Sequence, residues 1–574
     1  MTKQKEQPMG NKFLRWAGLL ALCGLVTGSA CARGVVVSNA HAAQYERVDL
    51  TFDLVAHWAD PYDSDDVKVD VAMTAPGGAR LVVPAYLVSG SSDHKSTWRA
   101  SLSPKQAGTY RYRVEVLDGG KVLEQRLAGT FDVTAGTGKG FLRVRDDWML
   151  QFDNGELFRG VGENLAWEHR DHDDSKFFRA LNEDARFNYD DMLAKLAANG
   201  GNFARVWMIY WNLPLDWKWV DNNTRYRAST SRFNVSGIRR MDELLALAEK
   251  NHVYLMVALD SHVGLMGEGW KHSAYNASNG GGAATPAEFF SSPVAMKRYR
   301  DKLRYLVARW GYSTNIAAWE FFNEVDNAIY ARKDHPIPDE LVTRWHREMS
   351  DYLKQLDPSG HIITTSISHR EVAGLYDLPS IAINQRHIYK ALDSIPATFR
   401  QASAEHGKPF VIGEAADEWD WSQNFDDDSR GMIGHFKRQL WYGLFNPTPV
   451  LPMTWWWEYF DAKGMTPYFK GVQAINQRML RDSDGHLQAV AVSSSEARLT
   501  CFAVKAGKST YLYVYNPTAV ALTTRLGLPG ASASAARLTA YDPEHQVNRD
   551  FAAGLDAVKL DPGQDLIIIL DPTQ

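Results

Sequence analysis

The sequence predicts an α/β protein: a (β/α)8 barrel over residues 141–481, with an Ig-like β-sandwich at 44–135 before it and a small β-sandwich at 482–574 after it. Three observations predict this. Between residues 141 and 481, strand-like apolar runs alternate with helix-period segments, and eight such strands can be counted. Both flanks carry short alternating runs cut by Gly, Pro, Asp and Ser, with no amphipathic helix between them. A run of Gly and small residues at 134–140 separates the first flank from the barrel.

Residues 1–32 read as a secretory leader. Lys3, Lys5, Lys12 and Arg15 precede an apolar run at 16–27 that is shorter than the ~20 residues a bilayer span needs. Small-residue cleavage sites follow at 30–32 and 40–42. The expectation is a secreted or periplasmic protein with no membrane span; a lipid anchor on Cys31 is the alternative, against which Gly28-Ser29-Ala30 lacks the large aliphatic residue such a site uses. With Cys23 and Cys31 in the leader, Cys501 stands alone. It allows no internal disulfide and is expected to be a buried, inert thiol.

The first flank is expected to hold strands at 47–56, 67–73, 80–87, 97–102, 108–116 and 127–133. Barrel strands are expected near 157–161, 202–207, 253–259, 316–322, 362–367, 381–389, 409–413 and 450–455. Helices at 238–251, 297–310 and 341–356 lie between them, the last stopped by Asp357-Pro358. The tail returns to strands at 497–504, 509–515, 523–528 and 565–570.

Composition narrows the function. Apolar residues make up 45% and charged residues 23% of 574, and the net charge is −5, so neither a disordered chain nor a basic nucleic-acid binder is expected. Of 19 tryptophans, 16 fall between Trp148 and Trp457. Most fill the core, but indole faces also stack on sugar rings.

Barrel enzymes carry their chemistry at the C-terminal ends of strands. Here the second strand offers Arg205, the third Asp260-Ser261-His262, the fourth Asn323-Glu324, the sixth His387-Ile388-Tyr389, the seventh Glu414 and the eighth Trp455-Trp456. Glu324 and Glu414 lie three strands apart on one rim, a placement that permits the ~5 Å spacing of a double-displacement glycosidase.

This ordered set resembles clan A glycoside hydrolases, of which family 5, with its cellulase-type barrel, is the best known. The phrases 200–207 (GGNFARVW) and 304–324 (RYLVARWGYSTNIAAWEFFNE) carry the resemblance most specifically. It implies Glu324 as general acid/base, Asn323 as a ligand of the sugar 2-hydroxyl, and Glu414 as nucleophile. It further implies Arg205 holding the nucleophile ionised, His387 and Tyr389 as the sixth-strand His-x-Tyr with Tyr389 bonding the nucleophile and His387 among the substrate-binding residues, and Trp455 as the platform at the cleaved sugar, with Trp456 as the alternative. His262 joins the expected substrate-binding set. The implied activity is retaining hydrolysis of β-glycosidic bonds in a polysaccharide or oligosaccharide, with a glycan as the partner. The rival is a non-catalytic carbohydrate-binding protein on the same scaffold.

The physical logic runs in parallel. One carboxylic acid protonates the leaving oxygen while an ionised carboxylate attacks the anomeric carbon. Arg205 is expected to depress the pKa of Glu414, and the like-charged neighbour to raise that of Glu324. No cofactor is expected, and no catalytic metal, since zinc-type His spacing is lacking. Glu320 is expected on the same strand side as Glu324, as a bonded structural acid. Acidic loops at 63–66, 168–174 and 426–428 read as solvated or calcium-binding, and the Gly-rich 264–285 segment as a mobile loop near the mouth.

Overall fold

The computed structural model describes residues 34–123, 126–328, 336–528 and 536–572. The leader, with Cys23 and Cys31, lies outside them. At the centre, seven parallel strands run in chain order: Gly162–Asn164, Phe203–Trp207, Tyr254–Ala258, Ile316–Glu320, Ile362–Ile367, Ile383–Tyr389 and Phe410–Ala416. Their residues are almost all buried, as parallel strands covered by helices must be. The helices Tyr189–Ala198, Val235–Asn251, Pro293–Trp310, Asp339–Leu356, Ile395–His406 and Ser429–Leu444 follow successive strands from the first to the seventh, none describing the step after the fifth strand. Asn188, Asn234 and Ser292 cap the first three with side-chain oxygens.

Two barrel strands differ from expectation. The apolar pair Leu157–Phe158 belongs to a separate three-stranded antiparallel sheet with Leu142–Val144 and Leu150–Phe152. The first barrel strand instead starts four residues past Phe158, in the polar Gly162-Glu163-Asn164. It lies so close to its neighbour that a Cβ on Gly162 would sit 1.7 Å from the Phe203 carbonyl oxygen. The eighth segment is no continuous strand: Pro449 and Pro452 remove ladder donors. It joins the first and seventh strands through bridges at Val450 and Thr454, leaving the barrel nearly closed.

Arg159 holds this seam together. Fully buried, it donates to the carbonyls of Gly443, Leu444, Asn446 and Thr448 at 3.1–3.3 Å, where the helix Ser429–Leu444 ends. A cation suits a helix C-terminus, although burial lowers its pKa to about 9. Arg159→Met strands several buried acceptors and is expected to cost about 3 kcal/mol or more, read from urea unfolding.

Before the barrel, strands form a four-stranded and a six-stranded sheet whose buried residues share one apolar cluster that includes Phe52, Trp98 and Tyr110. Val35–Val37 and His41–Ala43 already pair within these sheets, ahead of the expected start at residue 44. The unit is bolted to the helix Pro293–Trp310. Ser64 donates to Asp301 at 2.8 Å, Lys297 to Asp63 at 2.6 Å, and Arg304 to the Val69 carbonyl at 2.7 Å. After the barrel comes a six-stranded sheet in which Leu487–Val490, Ala536–Asp542 and Val547–Asp550 join the expected strands at 497–504, 509–515 and 565–570; the expected strand at 523–528 lies outside it, split into Leu522–Thr524 and Leu526–Gly527, which pair with Val558–Leu560 and Ser493–Ser494 respectively. Cys501 is only partly buried there, a correction to the expected buried thiol, and desolvation raises its pKa to about 11.

The segments expected to be loose or calcium-binding are tied down. Glu168 is buried against Arg240 (2.6 Å) and Arg225 (3.1 Å). Arg170 bridges Asp173 at 2.8 Å and Glu458 at 3.3 Å. Asp63 pairs with Lys297 and Asp426 with Lys463, and Asp428 caps a helix. The 264–285 segment folds into short helices, with Tyr275 buried on Phe289 and Tyr299.

Candidate active site

The site is built around Arg205, which the second strand aims into the barrel with no exposed surface. Its Nε and Nη2 donate to both oxygens of Glu320 (2.6 and 2.7 Å), Nη1 to Glu414 (2.7 Å) and Asn164 (3.1 Å), and Nη2 also to Asn323 (2.7 Å). One guanidinium therefore fixes the ends of the first, fourth and seventh strands. Glu320 is the expected structural acid. Burial works against its charge, but Arg205 prevails and holds its pKa below the ordinary value.

A bulge sets the seventh strand. Register shifts at Arg386/His387, so that Gly413 is skipped and His387 faces Glu414. Glycine leaves room there for the Gln385 side chain, whose Oε1 would lie 2.3 Å from an added Cβ. His387 Nδ1 lies 2.8 Å from Glu324 Oε1 and 3.3 Å from Glu414 Oε2, and Tyr389 donates to Glu414 Oε2 at 2.5 Å. Oxygens of Glu324 and Glu414 and the His387 nitrogen all lie within 4.8 Å of one another. Among the described residues, His387 Nε2 has no partner. A bare acceptor there is cheaper than a stranded N–H, which places the ring proton on Nδ1, between the two carboxylates.

Glu324 sits just past the fourth strand in the left-handed region, φ 50°. Ser366 Oγ accepts from its backbone N–H at 2.9 Å, and Asn327 donates to its Oε2 at 2.9 Å. His262 Nδ1 lies 3.6 Å from the same oxygen. Asn323 Oδ1 is taken by Arg205, so its amide N–H, 3.3 Å from Ser261 Oγ, is what remains for a ligand. Trp455 packs on Trp207 and Trp167 at 5.3–5.4 Å, and Arg205 lies over Trp207. Trp456 turns away to Phe425 and donates to the Glu418 carbonyl. Trp455 thus packs with Trp207, the ring under Arg205, whereas Trp456 does not.

The electrostatics correct two expectations. Arg205 does pull Glu414 down, but burial outweighs it and the net shift is upward. Glu324 is also raised, by burial first and then by Asp326, with His262 opposing. The like-charged partner is not the leading cause for either. Burial lowers His387 to about 4, so its imidazole is neutral.

His346, buried between the Val342 carbonyl (2.8 Å) and Thr365 Oγ1 (3.1 Å), is likewise lowered to about 4 by burial. Its folded pKa lies below the unfolded value of about 6.5, so the unfolded chain binds more protons between those values. Stability is lost as pH falls through that window, by up to about 3 kcal/mol for this group. The stability difference between His346→Gln and wild type should narrow by that amount between pH 7 and pH 4, measured by denaturant titration.

Asn164, Ser366 and Asn327 were missed by sequence reasoning. Asn164 was hidden by the displaced first strand. Asn327 had a signal, lying one helical turn beyond Glu324.

Fold and site together define a class: the chain resembles the barrel glycoside hydrolases of clan A, family 5-like in type. Mannan endo-1,4-beta-mannosidase 3 of Oryza sativa subsp. japonica is 24% identical over 272 residues, covering 44% of this chain and 56% of that protein. Mannan endo-1,4-beta-mannosidase A of Podospora anserina is 28% identical over 183 residues, 30% of this chain and 44% of the other. The chain spans about half the length of the curated relatives it matches. A solved structure from Bacteroides vulgatus, named as a candidate glycoside hydrolase, covers 93% of this chain and 100% of its own with a TM-score of 0.63 at 15% identity, a likeness of fold. Residues 41–117 match a family model described as a domain of unknown function (DUF5060). Among the described residues, no helix is long and apolar enough to cross a membrane.

Proposed function

We propose that the chain is a secreted retaining glycoside hydrolase of β-linked polysaccharide, with β-1,4-mannan as the first substrate to test. The observation that carries the reading is the pair Glu324 and Glu414, with oxygens within 4.8 Å and one imidazole N–H between them. Carboxyl groups about 5 Å apart suit double displacement, whereas inversion needs ~6.5–9.5 Å to admit a water.

In the first step a Glu414 oxygen bonds the anomeric carbon as the glycosidic C–O bond breaks, and the leaving oxygen takes the Glu324 proton. Arg205 and Tyr389 orient the attacking carboxylate. Esterification then removes the Glu414 charge. That lowers the proton affinity of Glu324, now a carboxylate, which accepts a proton from water as the water oxygen attacks the same carbon. Glu414 leaves as the C–O ester bond breaks. The raised pKa of Glu324 suits the acid role; that of Glu414 sets the acid limb of activity, where it must lose its proton.

The same reading takes residues 1–32 as the leader, cleavage there sparing the strands that begin at Val35. It takes 141–481 as the catalytic unit, and the Ig-like N-terminal and small C-terminal sandwiches as braces. The test is incubation of the chain from residue 33 with mannan, glucan and galactan, reading new reducing ends and the first-formed anomer by NMR. Release of β-configured ends is the expected result. Binding without cleavage on every glycan would replace this reading with the carbohydrate-binding one.

A further inference from the structure

On the outer side of the first barrel strand lies a cavity separate from the catalytic mouth. Glu163 forms its floor, Phe187, Met192 and Trp457 its apolar walls, and Lys195 and Asp461 part of its rim. Its volume is about 170 Å³, below the ~300–1,000 Å³ of drug-sized pockets, so any occupant is small. Strand alternation produces it: Asn164 turns inward to Arg205, so Glu163 turns outward, under the helices Tyr189–Ala198 and Trp457–Ala462.

Glu163 is only 6% exposed, yet its carboxyl has no hydrogen bond or ion pair among the described residues. The rim charges are spoken for, since Lys195 pairs with Asp461, and Asp461 also accepts from Thr466. Trp457 Nε1 is buried without a partner too. The Glu163 carboxyl is not sealed off: its oxygens are unpaired and open to the cavity, where an occupant can bond them. Burial, with Asp461 and Glu458 nearby, raises its pKa well above the usual carboxylate range.

We infer that this cavity is a second carbohydrate site, sized for a single pyranose ring. Such a ring brings what the cavity lacks: hydroxyls that donate to the carboxyl, and a C–H face that packs on Phe187, Met192 and Trp457. An ordinary apolar ligand would leave Glu163 unpaired, and a simple cation would leave the apolar walls of Phe187, Met192 and Trp457 uncovered.

The test is calorimetric titration of mannose, glucose and galactose, each separately, into the full chain carrying Glu414→Gln. The comparison variants add Glu163→Leu, Met192→Trp (which fills the cavity) or Trp455→Ala (which alters the catalytic mouth). The expected result is a millimolar site for at least one hexose, weakened at least tenfold by Glu163→Leu and by Met192→Trp and retained in Trp455→Ala. Glu163→Leu should also hold or raise the melting temperature, where a merely structural carboxyl would lower it. Should Glu163→Leu fold poorly, Met192→Trp decides alone. Absence of any hexose binding, or binding lost only in Trp455→Ala, overturns the inference. Because the readout is binding, it stands or falls independently of whether mannan is cleaved.

Discussion

Glu414→Ala is expected to lose roughly 10⁴–10⁶-fold in turnover, and added azide should restore part of it with an α-glycosyl azide as product. The argument is steric and electronic together. Removing the carboxylate leaves a vacant volume beside Arg205 and Tyr389, on the face from which attack comes. A small anion fills it and makes the new bond once, so configuration inverts. Glu324→Ala behaves differently. Its loss should be ~10²–10⁴-fold on glycans with poor leaving groups and small on activated aryl glycosides, which need no protonation. Azide then attacks the glycosyl-enzyme and gives the β-azide. Opposite azide anomers from the two variants would assign the roles in one experiment. The same anomer from both, or wild-type turnover in either, would dismiss the assignment.

The largest effect on folding is expected at Arg205. Arg205→Met leaves Glu320 and Glu414 buried with no counter-charge, and removal of one partner from a buried ion pair typically costs 3–5 kcal/mol. The fully buried Glu320 then takes up a proton, so the deficit should shrink as pH falls toward 5, in urea titrations at several pH values. Arg205→Lys keeps the charge but has no planar fork with which to grip Glu320 with two nitrogens and Glu414 with a third. It should recover part of the stability and little of the activity. Glu320→Gln is the control: it keeps Arg205 on Glu414, so activity should survive better than stability. If Arg205→Met unfolds at the wild-type midpoint, the guanidinium is not the hub its five bonds suggest.

The sequence made much of this legible where chemistry-bearing residues end apolar runs. Arg205, Glu324, His387, Tyr389 and Glu414 each lie within or just past a strand that reads as one, so their convergence could be anticipated from order alone. The first strand could not be read that way, because Gly162-Glu163-Asn164 has no apolar residue and is three residues long. The eighth was blurred by Pro449 and Pro452. Both errors fall at one seam, and they concealed Asn164 and Glu163, the two faces of a single strand. The net direction of the Glu414 shift was illegible for another reason. Charge neighbours can be listed from sequence, but the depth of burial that outweighs Arg205 at Glu414 emerges only when the barrel is closed.

The left-handed backbone at Glu324 has an evolutionary consequence. An L-residue with a Cβ is strained at φ 50°, and glycine is not. Every glutamate codon becomes a glycine codon by one base change. A single transition therefore relaxes the backbone while deleting the proposed acid and leaving the cleft walls in place. Selection for a sturdier fold and selection for turnover pull in opposite directions at this position. Lineages released from the second should drift toward barrels that hold glycans without cutting them.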